Sequence, residues 1–398
     1  MFILKNFTYG FDNMLKMLEE VDEEVSKAVD LIKQGFHRDF ILKKIKAKFF
    51  SKEKIFEMAK CRIRARKKFG EMASYLFFDE EALRYATPPE VAEYRAKRVG
   101  GGIAADICCG VGMQLMYFSK YADKVIGVEI DKDRAKMAEL NLMVFGAKNF
   151  EIMEGDALSM EIFNKIYANS IFCDPSRKPE EKKRTFETLL PNPMKVYELY
   201  QKKTDRIAFE LPPQMRREEI KIEGEKEYTS LNFDLNRLAL YTRAFASCNI
   251  SAVSLPSEER VTDEDDEVEI EEKSEVADYI YEVDRTIIKA GLLKNLAGKI
   301  GFDGFLLHFE ERRTLLSSEN KYISSFLRAY KVVESCKFEI DTINRVLKKC
   351  HAGKATPRFS IEPKEYWKVR NRIEDGLKGE RRYYIFKVGG KAIIAEKL

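Results

Sequence analysis

Between residues 102 and about 256 of this 398-residue chain, short apolar runs alternate with longer segments patterned for helices. The runs lie at Ile103 to Ile107, Val125 to Glu129, Phe150 to Met153, Ser170 to Cys173 and Arg206 to Glu210, with helix-patterned stretches such as Arg134 to Phe145 between them. Parallel strands need a long crossover, usually a helix, so this alternation predicts a parallel sheet with helices on both faces. Leu238 to Tyr241 and Ile250 to Leu255 would complete it as antiparallel edge strands. The expected fold class is α/β, a Rossmann-like sheet with an N-terminal helical domain and a C-terminal α+β domain.

The flanking segments differ in charge. Residues 1–70 carry apolar positions at helical spacing, including Val21, Val25, Ala28, Val29 and Ile32, then Leu42, Ile45, Phe49 and Phe50. Their other faces hold Lys43, Lys44, Lys46, Lys48, Lys52, Lys54, Lys60, Arg62, Arg64, Arg66, Lys67 and Lys68. A long run of one sign repels itself unless something neutralises it, which favours a nucleic-acid partner over a merely solvated face. Residues 71–101 form a connector in which Thr87-Pro88-Pro89 signals a helix start. The sheet domain is expected over 102–256. Residues 257–276 are acidic and suit a flexible linker or an exposed edge ribbon. Residues 277–398 restart a mixed pattern, with strands expected at Phe305 to Phe309, Lys337 to Ile340, Tyr383 to Phe386 and Ala392 to Glu396. Helices are expected near Asp284 to Leu296, Ile340 to Lys349 and Pro363 to Asp375, and Gly389-Gly390 suits a hairpin turn. Basic residues at Arg345, Lys348, Lys349, His351, Lys354 and Arg358 could add to a nucleic-acid surface.

Several classes are disfavoured. The seven cysteines are scattered without a C-x-x-C pair and only three histidines are present, so no metal site is expected. The same cysteine usage fits a reducing cytoplasm. The N-terminus is charged too early for a signal peptide, and no apolar run approaches the ~20 residues of a membrane span. The expectation is a cytoplasmic protein with no membrane partner, and a monomer is favoured.

The chemistry gathers at the ends of the expected strands. The first strand ends Asp106-Ile107-Cys108-Cys109-Gly110-Val111-Gly112, an acid followed by a glycine turn that opens a helix. The turn lacks the third glycine of the dinucleotide fingerprint, and an acid suits an amine-bearing cation better than a pyrophosphate. That combination points to S-adenosylmethionine, with Asp106 accepting from the ligand amine or holding the loop. Glu129 ends the second strand, where it would accept from ribose hydroxyls or stand as a surface acid before Asp131 and Asp133. After the third strand, Asp156 could accept from the adenine amino group and the Ala157 amide could reach a ring nitrogen; a plain Gly-Asp turn is the alternative. Cys108, Ile130 and Asp174 complete the expected donor-binding set. The fourth strand runs into Asp174-Pro175-Ser176-Arg177. There Asp174 could accept an N–H of an exocyclic amine beside the donor, with the Pro175 carbonyl as a second acceptor. The basic loop of Arg177, Lys178, Lys182, Lys183 and Arg184 is placed for phosphates. Glu210 ends the fifth strand, where it walls the pocket or touches substrate.

With these residues in view, the chain resembles class I S-adenosylmethionine-dependent methyltransferases. More narrowly, it is similar to those that carry a C-terminal THUMP-like domain. The marks are Lys68-Phe69-Gly70, Glu81-Ala82-Leu83, Ala86-Thr87, Val91, Asp174-Pro175-Ser176-Arg177 and the tail from Tyr383-Tyr384-Ile385-Phe386 to Gly389-Gly390-Lys391-Ala392. The resemblance implies that Asp106, Gly110, Gly112, Glu129, Asp156 and Ala157 bind the methyl donor, that Asp174, Pro175 and Arg177 face the acceptor, and that the substrate is RNA, most often tRNA, methylated on guanine. Amino-methylating relatives usually carry a second proline and an aromatic ring where this chain has Ser176 and Arg177, which leaves an exocyclic amine, a ring nitrogen or a ribose oxygen open as the acceptor atom. The other readings are a methyltransferase of protein or small molecules, and an RNA-binding relative without turnover.

Overall fold

A computed structural model describes residues 2–177, 185–311 and 313–398. The chain divides into two compact units, the first comprising 1–226 with 237–247, the second 227–236 with 248–398.

The first unit opens with α1 (Phe2–Lys33), α2 (Arg38–Lys44) and α3 (Lys52–Phe69). Met17, Val21, Val25, Ala28 and Val29 recur at helical spacing and are all buried, so α1 turns one stripe inward. Ser51 caps α3 by accepting from the Lys54 amide. These helices share one apolar core with the sheet that follows. Lys43, Lys44, Lys46, Arg66 and Lys67 are exposed as expected. Arg62 is not: its side chain is 4% exposed and donates to Asp22 at 2.8 Å and Ser26 at 3.1 Å, so it serves packing rather than a basic surface.

The connector contains α4 (Glu80–Tyr85), capped by Asp79, and α5 (Pro89–Val99), with Pro89 in its first turn. Then come β1 (Ile103–Asp106), α6 (Met113–Phe118), β2 (Lys124–Glu129), α7 (Lys132–Val144), β3 (Phe150–Glu154), α8 (Met160–Lys165) and β4 (Ser170–Cys173). A short ribbon of β5 (Ser176–Arg177) and β6 (Leu189–Leu190) precedes α9 (Pro193–Tyr200) and β7 (Ile207–Leu211). The chain leaves this unit within β8 (Glu225–Leu231) and returns within β9 (Leu235–Tyr241). The strands of the first unit stand in the order β3-β2-β1-β4-β7-β9, all parallel except β9, as the strand–helix alternation predicts. β1, β4 and β7 are buried along almost their whole length, which is why they appear in the sequence as continuous apolar runs.

This order has one consequence for function. From β1 the chain moves outward to β2 and β3, then crosses back to place β4 on the other side of β1. The loops after β1 and β4 therefore diverge, and open parallel sheets bind ligands in the crevice left at the carboxyl ends of such strands. Asn141, fully buried on α7, stitches the crevice to the connector: its Oδ1 accepts the Phe77 amide at 2.8 Å, and its Nδ2 donates to the carbonyls of Phe77 at 2.9 Å and Val111 at 2.8 Å.

The second unit holds β10 (Ile250–Leu255) and β11 (Glu259–Thr262), paired antiparallel. Much of the acidic stretch is thus tied down: Asp263 accepts the amides of Asn249 and Ile250, and Asp265 pairs with Lys299 at 2.7 Å. The rest comprises β12 (Tyr279–Val283), α10 (Arg285–Ala290), α11 (Leu293–Ile300), β13 (Phe305–Glu310), β14 (Arg313–Ser318), β15 (Leu327–Lys337), α12 (Ile340–Lys349), β16 (Ala352–Arg358), α13 (Tyr366–Glu374), β17 (Arg381–Val388) and β18 (Lys391–Lys397). Seven strands form a mostly antiparallel sheet in the order β13-β14-β12-β15-β18-β17-β16. Gly389 and Gly390 make the expected turn between β17 and β18. The single helix expected over Asp284 to Leu296 is two, because Gly291 takes the left-handed conformation (φ 72°) and closes α10. The strand expected at Lys337 to Ile340 is only the end of β15, whose partly polar sequence hid it. Arg358 is also corrected. It pairs with buried Glu282, which accepts from the Tyr330 hydroxyl as well, so its guanidinium is engaged within this unit.

Among the described residues no helix is long and apolar enough to cross a membrane.

Candidate active site

The carboxyl ends of β1, β2 and β4 bring three acids into one electrostatic neighbourhood. Asp106 closes β1 and is 2% exposed; its Oδ1 accepts the Cys108 amide at 3.1 Å. Burial pushes its carboxyl up to about 8, with Asp174 and Glu129 adding repulsion and Arg95 opposing it. Glu129 closes β2 and is also buried; Oε2 accepts the Gly110 amide at 2.9 Å and Oε1 the Asp131 amide at 2.9 Å. Burial raises Glu129 too, against those two hydrogen bonds. A carboxylate oxygen has two lone pairs, so each Glu129 oxygen keeps capacity for a second donor such as a hydroxyl. Buried acids short of positive charge are the setting in which a cationic ligand gains most.

The glycine turn supplies the room. Gly110 has φ +53°, and a Cβ built on it would meet nothing within 4 Å, so that side of the loop faces open space. Gly112 has φ +80°, and its Cβ would come within 3.1 Å of the Ala138 side chain, so here the glycine serves the packing of α7 against the loop. Cys108 and Cys173, at the ends of neighbouring strands, have their sulfurs 3.7 Å apart. The contact with Cys173, then burial, pushes the Cys108 thiol well up, so it remains protonated. Ile130, the residue after Glu129, is 70% exposed, an apolar side chain left bare at the rim. Beyond β3, exposed Asp156 accepts the Leu158 amide at 2.8 Å, and the carbonyl of buried Ala157 accepts from the hydroxyl of fully buried Tyr200 at 2.7 Å.

Asp174 follows β4 directly and is half-buried. Pro175 is buried, and the chain continues into the β5–β6 ribbon, where Ser176 donates to the Leu190 carbonyl at 3.2 Å. Asp174 is thus carried by a strand end on one side and braced by a ribbon on the other. The backbone of Arg177 lies in that ribbon; its side chain, with Lys178, Lys182, Lys183 and Arg184, lies outside the described residues.

Arg95 and Gln114 were not foreseen as part of the site; Glu210, which Arg95 meets, was. Arg95, 2% exposed on α5, donates to Gln114 at 3.0 Å and to Glu210, and its guanidinium lies 4.8 Å from the centre of the Phe172 ring. Gln114 is held in turn by the Ala92 carbonyl. Burial works against the Arg95 charge, but Glu210, then Tyr241 and Asp174, outweigh it. Glu210 also pairs with Arg237 at 2.8 Å. It anchors both guanidiniums, and Asp174 acts on that of Arg95 as well. The sequence did hold a signal, since Arg95 lies four residues from Val91 and from Val99, on the apolar face of its helix.

The donor set therefore fits S-adenosylmethionine: two buried acids for a ligand that carries positive charge, open space at a glycine, and a bare apolar rim. Residues 102–239, which contain every donor- and acceptor-site residue expected from the sequence, match the family model described as RNA cap guanine-N2 methyltransferase. An uncharacterised S-adenosylmethionine-dependent methyltransferase of Mycobacterium tuberculosis, from strains CDC 1551 and H37Rv, is 26% identical over 314 residues, covering 76% of this chain and 83% of the relative. The crystal structure of a Porphyromonas gingivalis W83 protein provisionally assigned as a methyltransferase superposes with a TM-score of 0.72 at 18% identity, over 95% of this chain and 97% of that one. This likeness extends the shared fold to both units.

Proposed function

We propose that this protein, an S-adenosylmethionine-dependent methyltransferase related to the RNA cap guanine-N2 methyltransferases, transfers its methyl group to a guanine base of RNA. The observation that carries the reading is the position of Asp174. It follows the strand next to the one that ends in Asp106, within the segment that matches the guanine-N2 family.

The donor supplies an activated methyl group. Asp106 and Glu129 hold the charged and hydroxylated parts of that donor, Gly110 leaves it room, and Ile130 and Ala157 flank its base. Asp174 accepts an N–H of the guanine amino group, orients the nitrogen and offsets the positive charge that develops on it, with the Pro175 carbonyl as a second acceptor. Arg177 and the basic residues after it in the sequence hold acceptor phosphates. The exposed lysines and arginines of α2 and α3 bind the RNA backbone. Transfer RNA is the class that the resemblance to THUMP-bearing enzymes implies.

The test is a labelled-methyl assay with total RNA and total protein as competing acceptors, followed by nucleoside mass spectrometry of tRNA from a deletion strain. Label in a methylated guanosine that the deletion strain lacks is the expected result. Label in protein alone overturns the reading, and binding that is insensitive to salt argues against an RNA substrate.

A further inference from the structure

We propose that Lys68 and Arg237 form a phosphate-binding subsite on the acceptor side of the site, holding the backbone of the nucleotide whose base faces Asp174. This rests on the reading of the acceptor as a nucleotide and adds where its phosphate lies.

The strand register sets the location. Cys173 pairs with Phe209 and Phe209 with Leu240, so Asp174 and Glu210 each follow a paired residue at the carboxyl edge of neighbouring strands, and both act on the Arg95 guanidinium. Glu210 pairs with Ala239 on β9. Two residues before Ala239, Arg237 reaches back to Glu210, with Nε 2.8 Å from Oε1. Arg95 takes the other oxygen. The single carboxylate of Glu210 is thus shared between two guanidiniums.

Lys68 adds to it. It sits half-buried near the end of α3, and its Nζ donates to the carbonyl of Ala86. The preceding carbonyl, that of Tyr85, accepts from Arg237 at 3.4 Å. The two cations therefore hold consecutive carbonyls of one short segment and face the same region. Among the described residues, no carboxylate lies within ion-pair distance of Lys68. Burial, then the nearby Arg237, pushes its ammonium down to about 8, as expected for a cation placed by its scaffold without a counter-ion. An ammonium has three donors, and the Ala86 carbonyl occupies one. The Tyr85 ring, 48% exposed with the Arg84 guanidinium 5.3 Å from its centre, adds a half-exposed aromatic surface to the same segment. Two converging cations beside an exposed ring suit a nucleotide phosphate better than a neutral acceptor.

The test uses the full-length protein with guanosine and guanosine monophosphate as probes, compared by calorimetry. The wild type is expected to bind the monophosphate at least about tenfold more tightly than the nucleoside, the scale of a charge-assisted hydrogen bond. Lys68→Met should erase that gain and raise KM for RNA with kcat and donor affinity unchanged, and Lys68→Arg should restore it. Inorganic pyrophosphate should compete with the monophosphate on the wild type, a readout that does not depend on the variants folding. Equal affinity for the two probes, or a phosphate gain that survives Lys68→Met, overturns the subsite. Binding needs no turnover, so a protein that methylates no RNA refutes the proposed function separately.

Discussion

The carboxylate of Glu129 accepts the amide of Gly110 at 2.9 Å, which ties the end of β2 to the loop after β1. One acid therefore fixes the glycine turn and keeps lone pairs for a ligand in the same crevice. Glu129→Gln preserves size and one acceptor but removes the charge. Hydrogen bonds to charged groups contribute about 1.5–3 kcal/mol, so donor affinity should fall by about ten- to a hundredfold, and the amide that loses its acceptor should lower stability by about 1–3 kcal/mol. Calorimetric titration with S-adenosylhomocysteine beside a melting curve measures both, and unchanged affinity would remove Glu129 from the donor site.

Asp106 gives the pH dependence its sign. Its carboxyl stands at about 8 in the folded protein without donor, against an unfolded value near 3.9. Between those values the folded chain holds a proton that the unfolded chain has lost, so this group's contribution to stability falls as pH rises from about 4 to about 8. A cationic donor favours the ionised form. Binding below pH 8 should therefore release close to one proton, and affinity should rise with pH and level off near 8. Titrations in buffers of different ionisation enthalpy report the proton directly; a binding heat that ignores the buffer contradicts this account.

The two glycines of the turn should separate. A Cβ at Gly112 meets Ala138 at 3.1 Å, and one at Gly110 meets nothing, although both residues have positive φ. Each alanine replacement carries the left-handed backbone cost of about 1 kcal/mol. Gly112→Ala adds a clash with α7 and should destabilise the protein more. Gly110→Ala should be the better tolerated in the fold and the more damaging to donor affinity, because its methyl enters the ligand's space. Urea unfolding and donor titration of both variants decide it.

The sheet was legible because β1, β4 and β7 are buried on both faces and leave unbroken apolar runs, and the acids at their ends kept their order along the chain. What escaped was polar structure inside the protein. Arg95 and Arg62 both carry charge on buried helix faces, and only the structure shows that Glu210 and Asp22 answer them. Asn141 looked like one polar residue in a helix, and its three partners come from segments 64 and 30 residues away. In the second unit β15 mixes buried and exposed positions without regular alternation, so its period was hidden.

Asp174 should separate binding from transfer. Its carboxylate adds to the repulsion on Asp106, so removing it eases ionisation of the donor-binding acid. Asp174→Ala should retain donor affinity and lose turnover, by about a hundred- to a thousandfold if it stabilises developing charge as a preorganised acceptor does. Single-turnover methyl transfer at saturating donor is the measurement. Full activity would move the acceptor site elsewhere.

Asn141 tests whether the connector and the crevice act as one piece. Asn141→Ala removes partners from the Phe77 amide and from the Phe77 and Val111 carbonyls in a region without solvent. Each buried group left unsatisfied costs about 1–3 kcal/mol, so the loss should reach roughly 3 kcal/mol or more. Val111 sits between the two glycines of the turn, so the variant should also weaken donor binding even where it remains folded. Chemical denaturation with donor present and absent checks both effects. If the variant loses stability but binds the donor as tightly as the wild type, the Asn141 clamp supports the fold without shaping the glycine turn.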